Sequence, residues 1–298
     1  QLASGGMNLQ DVRVDVISNA KGVTVKPSAK MYDGTLGGDI SFTQMNGRPQ
    51  LKIKNEIDLV SLSEFLTAAD VTDQLSGLGS LVLDLTVTEV DGIQTNEGTI
   101  KLFAKNGALK GVDVLRILNS GYAQYKTLRG RGTAAEPSES SGGESNNSET
   151  AFDSHQGKSK NTDETQFTEL LGTFNLKDFK ITNQDFALTA PYFKISGAGD
   201  IDLKAEKVDY RVGVNVLGSS SQQKDDEAIN KLKGITVPIR FRGDLFAPGF
   251  SLDTNALYRS LVKRELDEKK GAYLQEKLGI EGAENLSTKE TVKQVLLD

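Results

Sequence analysis

The sequence predicts a mainly β protein built on an antiparallel sheet, with a few helices. Three observations carry that reading. First, apolar and polar residues alternate over many short runs. In Gly234 to Asp253, Ile235, Val237, Ile239 and Phe241 point one way, while Thr236, Pro238, Arg240 and Arg242 point the other. Second, Gly, Asn and Asp bound these runs at roughly 8–12-residue spacing. Third, only a few segments carry apolar residues at helical spacing.

Taken in order, "NLQDVRVDVIS" places Leu9, Val12, Val14 and Val16 near one face, with an irregularity at Gln10–Asp11. "GTLGGDISFTQMNGRPQLKIKNEID" reads as two strands joined at Asn46-Gly47. Ser61 and Glu64 form a capping-box signature ahead of a short helix. "GSLVLDLTV" alternates at Leu81, Leu83, Leu85 and Val87. "GTIKLFAKNGALKGVDV" reads as a strand pair turning at Asn106-Gly107 and contributes Ile100 and Leu102. Val114, Leu115, Leu118, Tyr122 and Tyr125 then recur at helical spacing.

From Arg129 to Thr165 the composition turns polar, and Phe152 is its only bulky apolar residue. Such a segment cannot bury enough surface to offset its ordering entropy, so a mobile linker is expected. Alternation resumes afterwards, with turns expected at Asn183-Gln184, Gly197 to Gly199 and Ala205-Glu206. Ile201, Leu203, Val208, Tyr210, Val212, Val214 and Val216 fall on apolar faces. The second half of "GSSSQQKDDEAINKLK" reads as a helix. A long charged amphipathic helix follows Asn255, and a shorter one follows a second capping box, Ser287 to Glu290. The expected organisation is a first β segment with two short helices (1–128), a linker (129–165), a second β segment completing the same sheet (166–253) and C-terminal helices (254–298).

The 298 residues suffice for one large β domain or two smaller ones. A net charge of −6 argues against a dedicated nucleic-acid binder. With no Cys and a single His, His155, thiolate sites, zinc sites and Ser-His-Asp triads have no material. His155 also lies in the polar segment, away from any rigid setting. Asp200 and Asp202 read as solvated strand carboxylates. "GAGDID" and "DQLSGLGS" lead into strands and lack the P-loop Lys-Ser/Thr, so they read as turns or bulges. Asp225, Asp226 and Glu227 lack the spacing of a calcium loop and suit a helix N-terminus. No catalytic residue, metal or cofactor is expected. No run of about 18 apolar residues occurs, so no helix is expected to span a bilayer. The chain starts with Gln, which suggests a piece whose targeting segment or anchor lies upstream.

Periodicity leaves two homes for the apolar face. Two sheets can bury each other's faces, or one open, curved sheet can leave a groove for something apolar. Several stretches resemble the C-terminal region of the AsmA family of Gram-negative envelope proteins. They are "LGGDISFT", "LSGLGSLVLDLTVT", "GTFNLKDFKITNQDFAL", "APYFKISGAGDIDL" with "VDYRVGV", and most specifically "GTIKLFAKNGALKGVDV". "LKGITVPIRFRGDLFAPGFSLD" is similar to the family's terminal signature at Gly234, Pro238, Gly243, Pro248 and Asp253. The resemblance runs from about Ser4 to Leu261, departs at the polar linker and leaves Glu281 to Asp298 uncovered.

It implies a periplasmic open β groove with helices capping the ends, similar in build to bridge-like lipid-transfer proteins. The protein would be held to the inner membrane by an N-terminal helix absent from this chain. The implied task is moving phospholipid between inner and outer membranes without chemistry. The expected lining is Leu81, Leu83, Leu85, Val87, Ile100, Leu102, Ile201, Leu203, Val212, Val214, Val216, Val237, Ile239 and Phe241. Ordinary core packing under helices is the alternative for each. The C-terminal helices offer a cap on the sheet end, or a contact with a membrane surface or envelope protein. A scaffold assisting outer-membrane protein assembly or envelope integrity, offering exposed strand edges, is the competing function.

Overall fold

The computed structural model describes residues 2–4, 7–45, 47–90, 93–130, 150–151, 164–218, 227–245 and 247–278. Strands β1 (Leu2–Ser4), β2 (Met7–Asn19), β3 (Gly22–Met31), β4 (Gly34–Met45) and β5 (Arg48–Ser61) come first. Helix α1 (Leu62–Ala68) leads to β6 (Leu78–Val90), β7 (Ile93–Lys110) and helix α2 (Val114–Gly130). β8 is the short strand Thr150–Ala151. Next come β9 (Glu164–Lys177), β10 (Lys180–Thr189), β11 (Phe193–Asp202) and β12 (Lys207–Val216). Helix α3 (Glu227–Leu232), β13 (Thr236–Asp244), β14 (Pro248–Leu252) and helix α4 (Thr254–Leu278) complete the described chain.

These strands form one open antiparallel sheet in nearly sequential order, β1 to β7, then β9 to β14, with β8 on the far edge. Twelve are substantial, and β1 and β8 are short edge pieces of 3 and 2 residues. The two β segments meet along β7 and β9, paired from Glu97↔Lys177 to Lys110↔Glu164.

The connections are not equivalent at the two ends of the strands. At one end the turns are tight, with Asn19 pairing Gly22, Met45 pairing Arg48, Val90 pairing Ile93 and Lys177 pairing Lys180. At the other end lie α1, α2 and α3, and α4 leaves β14 there too. All four helices therefore meet the sheet near the same strand ends. Caps fix where they begin. Asp113 Oδ1 accepts the Arg116 N–H at 2.9 Å, and Thr165 Oγ1 accepts the Val114 N–H at 3.1 Å, at the start of α2. Asp253 does the same for Ala256 at α4, at 2.9 Å. Buried Leu118, Leu257 and Leu261 join Ile229 and Leu232 of α3 in the core. Glu265 ties α4 to α2, accepting from Tyr125 Oη at 3.0 Å and Arg129 Nη1 at 2.6 Å.

Three bulges interrupt the ladders. In β2 the register shifts between Gln10 and Arg13, with Asp11 left-handed at φ 52°, which matches the irregularity expected there. In β5 it shifts between Ile57 and Val60, with Leu59 at φ 53°. In β10 it shifts between Asn183 and Phe186. The last corrects an expected turn: Asn183-Gln184 is a bulge inside one strand.

Two further turns are corrected. Asn106-Gly107 does not reverse the chain, because β7 runs through it as one 18-residue strand. Asn106 takes φ 48° as a local irregularity, and a Cβ on Gly107 would collide with the Ser76 carbonyl oxygen. Gly197 to Gly199 lie within β11, where the aromatic rings of Phe186 and Tyr210 occupy the space their side chains would fill. The Ala205-Glu206 turn forms, with Glu206 at φ 52°. Ser61 is the N-cap of α1, but its side chain makes no capping hydrogen bond, so the capping box is not closed. Of the expected linker, Thr150–Ala151 pairs with β14, while Phe152, His155 and most of its length lie outside the described residues, as does Ser287 to Glu290.

Gly199→Ala should destabilise by about 1–3 kcal/mol, since its Cβ would fall 2.6 Å from the Tyr210 Cα and against the Asp209 carbonyl. Urea unfolding should show a lower midpoint with an unchanged slope.

Candidate functional site

Cross-strand pairing sorts the inward side chains into rows that run across the sheet. One row, toward the tight turns, links Val16, Val25, Ile40, Ile53, Leu85, Gly98, Leu176, Ile181, Ile201 and Val208 through successive partners. It crosses ten neighbouring strands. At roughly 4.8 Å per strand that is about 43 Å. No member carries a polar side chain. Val16 is exposed, Val25, Ile40, Ile53, Leu85, Leu176, Ile181 and Ile201 are half-buried, and Val208 is buried.

A second row, one step toward the helices, runs Leu83, Ile100, Phe174, Asn183, Gly199, Tyr210, Phe241 and Phe250. Nearest the helices, Val60, Gly79, Ala104, Leu170, Leu188, Ile195, Val214 and Val237 form a row whose apolar side chains are at most 6% exposed. Burial therefore rises along the strands toward the helical end. The same apolar pleat is sealed at one end and uncovered at the other.

The opposite face is charged and pairs across strands: Lys26 with Asp39 at 2.7 Å, Lys54 with Asp84 at 3.0 Å, and Arg240 with Asp209 at 2.6 Å. The hydrogen bond from Arg240 holds the Asp209 carboxyl below the usual carboxylate range, against a smaller opposing effect of burial.

The second row carries two polar breaks: beyond Leu83 it continues to Asn55, whose Oδ1 is buried without a hydrogen-bond partner among the described residues, whereas Asn183 is fully satisfied. Asn183 is 1% exposed. Its Nδ2 donates to the Thr173 carbonyl at 2.9 Å and to Asp185 Oδ1 at 2.8 Å. Its Oδ1 accepts the Phe186 N–H at 3.2 Å and the Tyr210 hydroxyl. Burial, with the nearby Asp185 charge, pushes the Tyr210 hydroxyl pKa up. The Thr173 N–H, donating at 2.7 Å, holds the Asp185 pKa down.

The fourteen residues named from the sequence separate along this gradient. Leu83, Leu85, Val87, Ile100 and Ile201 are half-buried and lie on the uncovered part of the face. Leu81, Leu102, Val212 and Phe241 are partly buried against the core margin. Val214, Val216, Val237 and Ile239 are at most 4% exposed and belong to the core under the helices. Leu203 is 39% exposed and sits in the turn after β11. Sequence reasoning did not name Val25, Ile40, Ile53, Leu176 and Ile181. Each alternates within its strand, and only cross-strand register joins them to one row. Phe42, 52% exposed, adds to the uncovered part.

Among the described residues, no cluster of His, Asp or Glu could hold a metal ion. None of their helices is long and apolar enough to cross a membrane, which says nothing of strands that cross as barrels. Asp225 and Asp226 lie outside the described residues.

An open antiparallel meander with one apolar face covered only at one end defines a groove-forming sheet protein, distinct from a closed barrel or a two-sheet sandwich. The chain belongs to the AsmA family, whose family model matches residues 6–186. That match is shorter than the stretch of resemblance read from the sequence. AsmA family proteins are envelope proteins. No curated protein and no solved structure matches the chain.

Val214→Asp should abolish cooperative folding, because an unpaired charge would be buried at a site with 0% exposure. Leu85→Asp, in the half-buried row, should leave a folded protein. Circular dichroism with urea melts separates the two.

The depressed Asp209 pKa also fixes a sign. Its stabilisation is complete above the unfolded carboxylate pKa of about 3.9 and is lost as pH falls through the lower folded value. Asp209→Asn should therefore flatten the acid limb of the stability profile below about pH 4. An acid limb as steep as that of the wild type would reject the assignment.

Proposed function

We propose that the uncovered part of the apolar face takes phospholipid acyl chains in the Gram-negative periplasm and passes them between inner and outer membranes without chemistry. One observation carries the reading. An apolar row about ten strands wide, outside the buried core except at Val208, holds no polar side chain. A soluble fold gains nothing by leaving such a row in water, and contiguous uncovered apolar surface marks a ligand or membrane contact. Each acyl CH₂ removed from water is worth about 0.8 kcal/mol. A row without polar anchors would grip a chain by area alone, which permits sliding.

Family membership and the open sheet support this reading. The contacts proposed are Leu83, Leu85, Val87, Ile100 and Ile201, extended by Ile40, Ile53 and Ile181. The rows nearest the helices are left to hold the fold.

The chain should be purified from Gram-negative cells without detergent, and its extracted lipids weighed by mass spectrometry against a mock-purified β protein. Enriched phospholipid is expected. Leu85→Asp combined with Ile53→Asp should reduce it at least several-fold in a protein that still melts cooperatively. Equal lipid in the wild type, the double variant and the control protein would refute the assignment.

A further inference from the structure

Toward the tight turns the uncovered apolar row meets a built feature. Two residues on from Ile181 and Ile201 stand Phe179 and Leu203, joined by the Leu203 N–H, which donates to the Phe179 carbonyl at 2.9 Å. Phe179 is half-buried, and Leu203 is 39% exposed. Lys204 Nζ lies 4.3 Å from the centre of the Phe179 ring. Beside them Leu176, Ile181 and Ile201, all half-buried, form the floor of the row.

The position of this group is fixed by backbone. Asp178 and Phe179 link β9 to β10 with φ 50° and 65°. That left-handed backbone is disfavoured for residues with a Cβ, and two-residue hairpins usually give it to Asn-Gly. Asn96 of β7, 7% exposed, holds the turn. Its carbonyl accepts the Asp178 N–H at 2.7 Å, and its Oδ1 accepts the Phe179 N–H at 2.8 Å. Asp202 Oδ1 accepts the Lys204 and Ala205 N–H groups at 3.1 and 2.9 Å, which sets the turn that carries Lys204. The comparable turn at Tyr32 and Asp33, with φ 47° and 69°, packs its aromatic residue against the core. Phe179 has no place in that core, so core packing does not account for its strained position. A strained aromatic outside the core points to a use in binding.

We infer that Lys204 and Phe179 bind the phosphodiester of a phospholipid whose acyl chains lie on Leu176, Ile181 and Ile201. This deepens the lipid-binding reading above and rests on it. Charge selects the group. Lys204 forms no ion pair with another described residue, whereas Lys180 lies 3.9 Å from Asp202 and Lys207 4.0 Å from Asp244. An ammonium carries three donors and no acceptor, and a ring face occupies only one side of it. Its remaining N–H groups suit the anionic oxygens of a phosphodiester. Position selects the source. The cation stands at the border of an apolar floor, so a phospholipid meets both at once, while free phosphate meets the cation alone.

The purified 298-residue chain should be titrated with dioleoyl phosphatidylglycerol and with dioleoylglycerol, which share their acyl chains and differ in the phosphoglycerol group. The wild type should bind the phosphatidylglycerol about fivefold more tightly. Raised salt should narrow that ratio. Lys204→Met, which keeps the stem and removes the charge, should bring the ratio to about one. Lys204→Arg should preserve it. Phe179→Gly, which removes the ring and relaxes the left-handed turn, should lower it. Lys204 is exposed, so its variants should fold as the wild type does, which circular dichroism checks. A wild-type ratio of one would overturn the inference and leave acyl binding standing. So would a Lys204→Met ratio equal to that of the wild type, or inorganic phosphate that displaces phosphatidylglycerol as well as the same lipid does. Binding of neither lipid would overturn the lipid-binding reading and this inference with it.

Discussion

The structure depends on keeping the pleat in phase across the whole sheet. Side chains alternate with period two, so a one-residue slip in any ladder would send every apolar residue of a strand to the charged face. The three bulges are where the sequence absorbs such slips. Ile57 and Val60 are three apart yet share a face, because β5 carries an extra residue between them. Asn183 and Phe186 do the same in β10. At β5, Leu59 takes the left-handed backbone, and its N–H reaches Ser80 Oγ at 3.3 Å. At β10, the extra length is fastened by the Asn183 side chain, which binds backbone on two strands. A buried amide on an apolar face would be costly if unpaired, and here it is satisfied.

The burial gradient follows from chain connectivity. Every tight turn between β2 and β5 that lies away from the helices is two residues long and covers nothing. Among the described residues all the helices lie at the opposite end, and that is the end of the face they seal. α2 and α4 are fastened to each other by the Tyr125–Glu265–Arg129 cluster and by the rings of Tyr125 and Tyr258, whose centres lie 5.7 Å apart. This is a packed core in the ordinary sense, with Leu257 and Leu261 on one face of α4. It gives the sheet a stable end from which the rest projects.

The fold class was legible because alternation and turn residues report local backbone geometry. What misled was a break in alternation. At Asn183-Gln184 the phase changes, and a turn and a bulge produce the same change. At Asn106-Gly107 the residues suit a hairpin, but β9 and β6 flank β7 on both sides and hold it straight. The glycines of "GAGDID" looked like a turn because glycine's other use, making room for a ring, depends on where Tyr210 lands in the neighbouring strand. Site residues were half legible for the same reason. Val214 and Leu85 share one sequence pattern, and periodicity assigns both to the apolar face. Their different burial comes from distance to the helices along the strand, which is a tertiary quantity. Ile53 and Ile181 lie in one row only through a chain of cross-strand partners.

The described polar groups near the uncovered face are mostly spent on the protein itself, Asn55 Oδ1 apart. Asn183 and Tyr210 bond each other and their own strands, and Asn96 spends its Oδ1 on the Phe179 N–H at 2.8 Å. Lys204 stands over the Phe179 ring, 4.3 Å from its centre, at the turn end. On the opposite face Lys26–Asp39, Lys54–Asp84 and Arg240–Asp209 pair across strands. On the proposed reading, the row from Val25 to Ile201 would meet an acyl chain through area and shape, since it holds no polar side chain. Discrimination between headgroups would have to come from the strand ends, where charged turns border the apolar row. On the proposed reading, acyl chains would lie against the sheet and headgroups would remain in water beyond the turns. A face built that way would bind a class of molecule rather than one species.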